Sequence, residues 1–322
     1  MSAPSVTVCI PVYNGAEYLD EAITSMRRQS LEAIEIIVVD DGSTDGSLAI
    51  AQRHAAADRR VRVVRQPHGG VAAARNRCLV DAASEFVAFL DADDVALPSR
   101  LERQLAFLSA RRDVKALGTY GWRMGESGRV LGVFDVGPRD VSHFERIKAA
   151  GEPIYLLTPS VMVSRIAALE CGGFRPVPAA EDIDLWTRMG DRHLVLVLPE
   201  RLLRYRVRTG SLSSRHFKLQ MYSTELVTQN ARHRRRGEPE TDLRSVIRVM
   251  ERQPTIVRAR RKLTWFSQRS YRIAGSLLAN GDLRGIGWLA CAVAVQPTVP
   301  AGRLVDQVVP LIRERLSSVW LR

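Results

Sequence analysis

The residues Phe86-Val87-Ala88-Phe89-Leu90 form a short apolar run that stops abruptly at Asp91-Ala92-Asp93-Asp94. A run of that length, bounded by polar residues, reads as a strand buried on both faces, as in a parallel sheet covered by helices. Its carboxylates then fall at the carboxyl end of the strand, the edge at which open α/β sheets gather their ligands. Oxygen donors clustered there suit a hard divalent cation, which would in turn meet the phosphates of a nucleotide. Taken alone, Asp-x-Asp reads more simply as an exposed acidic turn, so the rest of the chain has to decide.

The preceding residues repeat one pattern. Residues 6–10 read as a first strand stopped by Pro11, and Leu19, Ala22, Ile23 and Met26 then keep helical spacing. Residues 34–39 are a second strand, and Asp40-Asp41-Gly42-Ser43-Thr44-Asp45 supplies a turn and an N-cap for a helix through Arg53. Residues 61–64 are a third strand, after which Gly69-Gly70 opens an Ala-rich helix carrying Arg75 and Asn76. Pro98 marks another helix start, with Leu101, Leu105 and Leu108 on one face. Repeated β-α units of this length imply an α/β fold with a mostly parallel, doubly wound sheet. Beyond Val114 the pattern changes to a hairpin over 121–136 turning at Glu126-Ser127-Gly128, then short strands, a Gly172-Gly173 turn and a helix near Glu181. From Phe217 the signal is helical, broken at Gly237, Pro254, Gly281 and Pro297 to Pro300.

Length and composition fit one large domain and a smaller one: 322 residues, 46% hydrophobic. Cys9, Cys78, Cys171 and Cys291 show no CxxC spacing and read as reduced core residues. The chain begins without a basic segment followed by an apolar one, and its longest apolar run, 286–295, is about half a membrane span. The expectation is a cytoplasmic protein. Charge is uneven, because residues 200–322 hold 24 basic and 9 acidic groups, a net of +15 out of +12 for the whole chain. That asymmetry points to a basic region facing something anionic, either a lipid surface or nucleic acid.

Four segments put functional groups at strand ends or helix starts: Pro11-Val12-Tyr13-Asn14-Gly15, Asp40-Asp41-Gly42-Ser43, Gly69-Gly70 through Arg75-Asn76, and Asp91, Asp93 and Asp94. In a parallel sheet these line one edge. Asp41 is placed to accept from a base imide, Tyr13 to stack on a base, and Arg75 with the helix start at Gly70 to face phosphate.

With Gly172-Gly173-Phe174 and Glu181-Asp182-Ile183-Asp184-Leu185-Trp186 added, these segments resemble the family-two inverting glycosyltransferases, nucleotide-sugar enzymes of the GT-A fold. The resemblance spans about residues 5–215. It implies a GT-A domain over 1–215, divided into a nucleotide-binding half (1–115) and an acceptor half (116–215), with a basic helical region over 216–322. It also implies transfer of a sugar from a nucleotide-diphosphate donor, by default a UDP-sugar, to a glycan or lipid-linked acceptor. The nucleotide would be held by Pro11, Val12, Tyr13, Asp41, Gly70, Arg75, Asn76, Asp91 and Ala92. Asp93 would bind Mn or Mg with support from Asp91, Asp182 would be the catalytic base, and Arg208, Ser211 and Ser213 would close over the diphosphate.

Two positions depart from the family pattern: Cys78 stands where many relatives carry glycine, and Arg208 where many carry histidine. No Gln-x-x-Arg-Trp occurs, the mark of processive members, so a single addition is expected. A nucleotidyltransferase is the competing enzyme reading, but Pro11-Val12-Tyr13-Asn14 lacks the basic glycine-rich loop such enzymes carry. A non-catalytic nucleotide-sugar or glycan-binding protein is the other. The runs Arg232-His233-Arg234-Arg235-Arg236 and Arg258-Ala259-Arg260-Arg261-Lys262, with Trp265, Phe266, Trp288 and Trp320, suggest docking of 217–322 on an anionic membrane surface. The enzyme would then be peripheral on the inner face. No nucleic-acid motif accompanies the charge.

Overall fold

A computed structural model describes residues 4–208 and 216–296. The first half is built of β1 (Val6–Val12), α1 (Ala16–Arg27), β2 (Ile34–Asp40), α2 (Ser47–Ala57), β3 (Val61–Arg65), α3 (Val71–Asp81), β4 (Phe86–Phe89), β5 (Val95–Ala96) and α4 (Arg100–Ala110). There follow β6 (Val114–Met124), β7 (Val130–Phe134), α5 (Val141–Ala149), a single 3₁₀ turn (Thr158–Ser160), β8 (Met162–Ser164), α6 (Arg165–Glu170), α7 (Glu181–Arg192) and β9 (Leu194–Arg206). The last four helices are α8 (Phe217–Arg236), α9 (Leu243–Arg252), α10 (Thr255–Ala279) and α11 (Arg284–Val295).

The strands form one sheet of order β3-β2-β1-β4-β8-β6-β9-β5, with β7 paired to β6. The β3-β2-β1-β4 portion is parallel throughout. From β4 onward the sheet turns antiparallel at β8, which β6 also pairs antiparallel. The expected α/β class and GT-A-like architecture are therefore present, with the parallel character concentrated in the first four strands. All seven residues of β1 are buried, and so are all four of β4. Each fully buried aliphatic side chain there contributes about 1.5–3 kcal/mol.

Strand order explains where a ligand can sit. The chain proceeds outward from β1 to β2 to β3 and then returns to place β4 on the other side of β1. The carboxyl ends of β1 and β4 thus flank a reversal of winding, where helices on opposite faces leave a crevice.

Several boundaries differ from the sequence reading. β1 continues through Pro11 to Val12, pairing Pro11 with Val39 on β2. Proline is tolerated because the β4 ladder has already ended at Cys9–Phe89, so no neighbour on that side needs its missing N–H. α2 runs on to Ala57. The hairpin of β6 and β7 turns where expected, closed by Gly125 N–H donating to the Arg129 carbonyl at 2.9 Å. All four cysteines are free, and Cys9 and Cys78 are buried, but Cys291 is exposed and not a core residue.

The described residues divide into two compact units. One holds the residues up to Gly121 with Phe134–Tyr205 and Val227–Pro239; the other holds Trp122–Val133, Arg206–Leu226 and the residues from Glu240. This cut differs from a single boundary after residue 215, because the end of α8 is bound into the first unit. Arg234 and Arg235 both pair with Asp191, at 2.8 and 3.0 Å, and Arg235 donates to the Lys148 carbonyl at 2.7 Å.

Candidate active site

The loops after β1 and β2 are tied to each other before any ligand is considered. Asn14, in the left-handed region at φ 51°, accepts from Thr44 N–H at 2.8 Å through its side-chain oxygen. Asn14 and Gly15 N–H groups donate to the Ser43 and Ser47 hydroxyls at 3.0 and 2.9 Å, and Ala16 N–H donates to Asp45 at 3.1 Å. The amides leading into α1 are thus satisfied from the next loop. Val12 and Ala92 meet beside Gly15, where a Cβ would lie 3.0 Å from Val12 Cγ2 and 3.5 Å from Ala92 Cβ.

Asp41 has a fuller set of partners than a base-reading role alone requires. Its Oδ1 accepts from Gln66 Nε2 at 2.7 Å and Gly69 N–H at 2.9 Å, and its Oδ2 from Gly70 N–H at 2.8 Å. His68 Nδ1 lies 2.9 Å from Oδ2. Gly70 reaches this position at φ 85°, a conformation open to glycine. The buried carboxylate therefore shapes the 66–70 loop, and the Gly70 amide expected at phosphate is turned toward Asp41. Tyr13 stacks one face on the His68 ring, centroids 4.0 Å apart at 26°, and remains 49% exposed. Gln66 and His68 escaped the sequence reading; a histidine immediately before Gly69-Gly70 was the available signal.

The carboxylates after β4 separate by environment. Asp91 and Asp93 are half-buried, whereas Asp94 is buried completely. Beneath them lies Arg100, also fully buried, donating to the Phe89 carbonyl at 2.8 Å and to Gln104 at 3.1 Å. Burial lowers its guanidinium to about 9, against the opposing charges of Asp94 and then Asp91. Arg100 was not anticipated, since nothing in Pro98-Ser99-Arg100 distinguishes it from a surface cation. Among the described residues no three His, Cys, Asp or Glu side chains converge as a ready-made cation cage. Two partly exposed carboxylates, Asp91 and Asp93, fit a divalent ion that takes its remaining oxygens from phosphate and water.

Arg75 was expected to face phosphate, and its contacts lie elsewhere. It is 4% exposed, with Nη2 donating to Asp91 Oδ1 at 2.9 Å and Nη1 to Glu181 Oε1 at 3.1 Å. Asn76, also expected at the nucleotide, uses both ends of its amide on the Phe174 backbone, at 2.7 and 2.8 Å. Gly173 permits that clamp: its φ is +61°, and a Cβ would sit 2.5 Å from Asn76 Oδ1.

α7 begins with Glu181 and Asp182, where the helix dipole favours negative charge. Asp182 Oδ2 accepts from the Thr158 hydroxyl at 2.8 Å and Oδ1 from Ile183 N–H at 2.7 Å. Trp186, on the same helix, donates Nε1–H to the Thr158 oxygen at 3.2 Å. Thr158 had no signal in sequence beyond preceding a proline. Burial, and then the charge of Asp182, raise the Glu181 carboxyl to about 7 despite Arg75. Asp91 after β4 and Glu181 at the start of α7 are thus joined through one guanidinium.

Arg208 follows β9 in the second unit, and Ser211 and Ser213 lie outside the described residues, as does Trp320. The basic runs are partly consumed by structure. Besides Arg234 and Arg235, Arg258 donates to the Glu251 carbonyl at 2.8 Å and Arg261 to the Met250 carbonyl at 2.9 Å, capping α9. Trp265 packs edge-on against Tyr222 beneath Arg261. What stays exposed on α10 is an apolar stripe of Ile256, Leu263 and Phe266 with Arg260, Lys262 and Arg269 at its borders. Among the described residues no helix is long and apolar enough to cross a membrane.

Comparison with known proteins finds a matching family and several relatives. Residues 7–172 match the description "Glycosyl transferase family 2". The Bacillus subtilis protein named as glycosyltransferase EpsE is 33% identical over 238 residues, 72% of this chain and 83% of that one. TuaG of the same organism, named for teichuronic acid biosynthesis, is 30% identical over 67% of this chain and 84% of its own length. Among solved structures, residues 1–349 of S. aureus TarS in complex with UDP align with a TM-score of 0.55 over 92% of both chains, at 16% identity. The mannosyltransferase PcManGT from Pyrobaculum calidifontis, in complex with GDP-Man and Mn²⁺, aligns at 0.56 over 100% of this chain and 89% of that one, at 18% identity. At such identities the structures speak for the fold.

Proposed function

The chain belongs to glycosyl transferase family 2 and is a glycosyltransferase; from that premise we propose that it is an inverting, single-addition enzyme using a nucleoside-diphosphate sugar. The observation that carries this reading is Arg75, which holds Asp91 and Glu181 at its two ends, 16 and 106 residues away in sequence. That contact supports one site with a donor side at β4 and an acceptor side at α7.

The donor's base would lie by the Tyr13–His68 stack and the loop shaped by Asp41. UDP is the default nucleotide; TarS and PcManGT bind UDP and GDP-Man respectively. Asp93 and Asp91 would hold a Mn or Mg ion, which when bound neutralises charge developing on the leaving diphosphate. Asp182 takes the proton from the acceptor hydroxyl as its oxygen bonds to the anomeric carbon. The bond from that carbon to the phosphate oxygen breaks on the opposite face, and the electron pair leaves with the nucleoside diphosphate. Thr158 fixes one Asp182 oxygen, leaving the carboxylate a defined orientation for that transfer. Arg208, Ser211 and Ser213 stay proposed as diphosphate-closing residues. The acceptor is proposed to be a glycan or a lipid-linked saccharide, with the α10 stripe set on an anionic membrane surface.

Asp182→Asn tests the base. Release of UDP from UDP-GlcNAc or UDP-glucose, or of GDP from GDP-mannose, with Mn²⁺ and a simple glycoside or water as acceptor, should fall by about 100-fold or more. Calorimetric affinity for the nucleoside diphosphate should be retained. Undiminished turnover would refute the assignment.

A further inference from the structure

Arg75 is buried where two distant motifs meet, and its shape limits what they can do separately. A guanidinium is a rigid planar fork, so its two ends cannot follow two partners independently. One end is bound to Asp91 and the other to Glu181. The plane lies over the Phe174 ring, 5.4 Å from Cζ to the centroid. Phe174 in turn is held at both backbone groups by Asn76, the residue beside Arg75 in α3. Adjacent residues of one helix therefore supply the strut and fix its platform. Asp182, next to Glu181 on α7, is held by Thr158, itself hydrogen-bonded by Trp186.

We infer that Arg75 is a positioning residue that couples the donor-side carboxylate Asp91 to the helix carrying Asp182, so that a diphosphate bound at the β4 edge steadies the base. This rests on the proposed reading of the site as a nucleotide-sugar transferase. Arg75 needs no contact with either substrate for this role; it transmits the position of one carboxylate to the turn that carries another. Electrostatics agree, since Asp91, Glu181 and Asp182 all hold its guanidinium in the charged form against burial. A lysine here would keep the charge but reach only one of the two carboxylates.

Hydrogen exchange of the full chain, with and without UDP or GDP plus Mn²⁺, tests the coupling. In the unmodified protein, ligand should increase protection over residues 66–76 and 86–94 and also over 181–190. In Arg75→Met the first two gains should persist and the third should vanish, with Arg75→Lys between them. Turnover of the cleaved nucleotide sugar should fall about 100-fold in Arg75→Met through kcat, with the donor KM little changed, as a small misplacement of a reacting group can cost that much. If Arg75→Met does not fold, Arg75→Lys and Glu181→Gln each weaken the same link with little change in side-chain volume, and each should diminish the gain over 181–190. Protection of 181–190 that survives these substitutions, or that never appears when 66–94 is protected, overturns the coupling and leaves the donor reading standing. If neither nucleotide protects 66–94, the donor reading fails and the coupling falls with it.

Discussion

At the scale of single residues, the electrostatics of the site centre on Glu181. In an unfolded chain its carboxyl would titrate near about 4.3, whereas burial and the Asp182 charge raise it to about 7 in the fold. The folded state therefore binds that proton more tightly than the unfolded one. Its stabilising contribution is full below the unfolded value and is lost as pH rises through the folded one. Glutamine cannot titrate, so the stability of Glu181→Gln relative to the parent should improve between about pH 5 and about pH 8. The change amounts to at most about 3 kcal/mol, from the size of the shift. Melting temperatures of both proteins at the two pH values measure it, and a variant-minus-parent difference that stays constant or falls as pH rises would contradict the assignment. Asp41 teaches a related lesson: a carboxylate can stand at a ligand edge and still have its oxygens engaged by its own loop.

At the scale of elements, the parallel strands were legible because burial on both faces leaves short apolar runs, and β1 to β4 appear nearly where those runs fall. The strand-end motifs were legible for the same reason, since a parallel sheet delivers its functional groups to one edge. Arg75 and Asn76 were legible as residues of interest but not as to partner, because both reach across about a hundred residues of chain. The end of β1 was misread because a proline's cost depends on whether a neighbouring strand needs its N–H, which sequence does not reveal. The basic runs were read as suggesting that 217–322 docks on an anionic membrane surface, and helix ends and Asp191 engage several of their arginines.

That leaves α10 as the element to test for membrane contact. Its stripe repeats at helical spacing, with Ile256 64%, Leu263 54% and Phe266 45% exposed between bordering cations. Vesicles with anionic headgroups should sediment the protein at physiological salt, and replacing Leu263 and Phe266 with serine should weaken binding by about tenfold or more. A protein left wholly in the supernatant would count against the membrane role.

At the scale of the whole molecule, the winding reverses between β1 and β4, which opens a crevice at the carboxyl edge of the sheet, and the loops after β1, β2 and β4 lie along that edge. The central claim is that this crevice takes a nucleoside diphosphate with a divalent ion at Asp93. The most direct measurement is thermal unfolding with UDP and GDP, each with and without Mn²⁺, on the parent and on Asp93→Asn. A ligand that binds only the native state raises the melting temperature by an amount that grows with the logarithm of its concentration over Kd. One of the two nucleotides with Mn²⁺ should raise it by several degrees, and removing the metal or substituting Asp93 should abolish most of that rise. Unfolding that is indifferent to both nucleotides, with and without metal, would contradict the account.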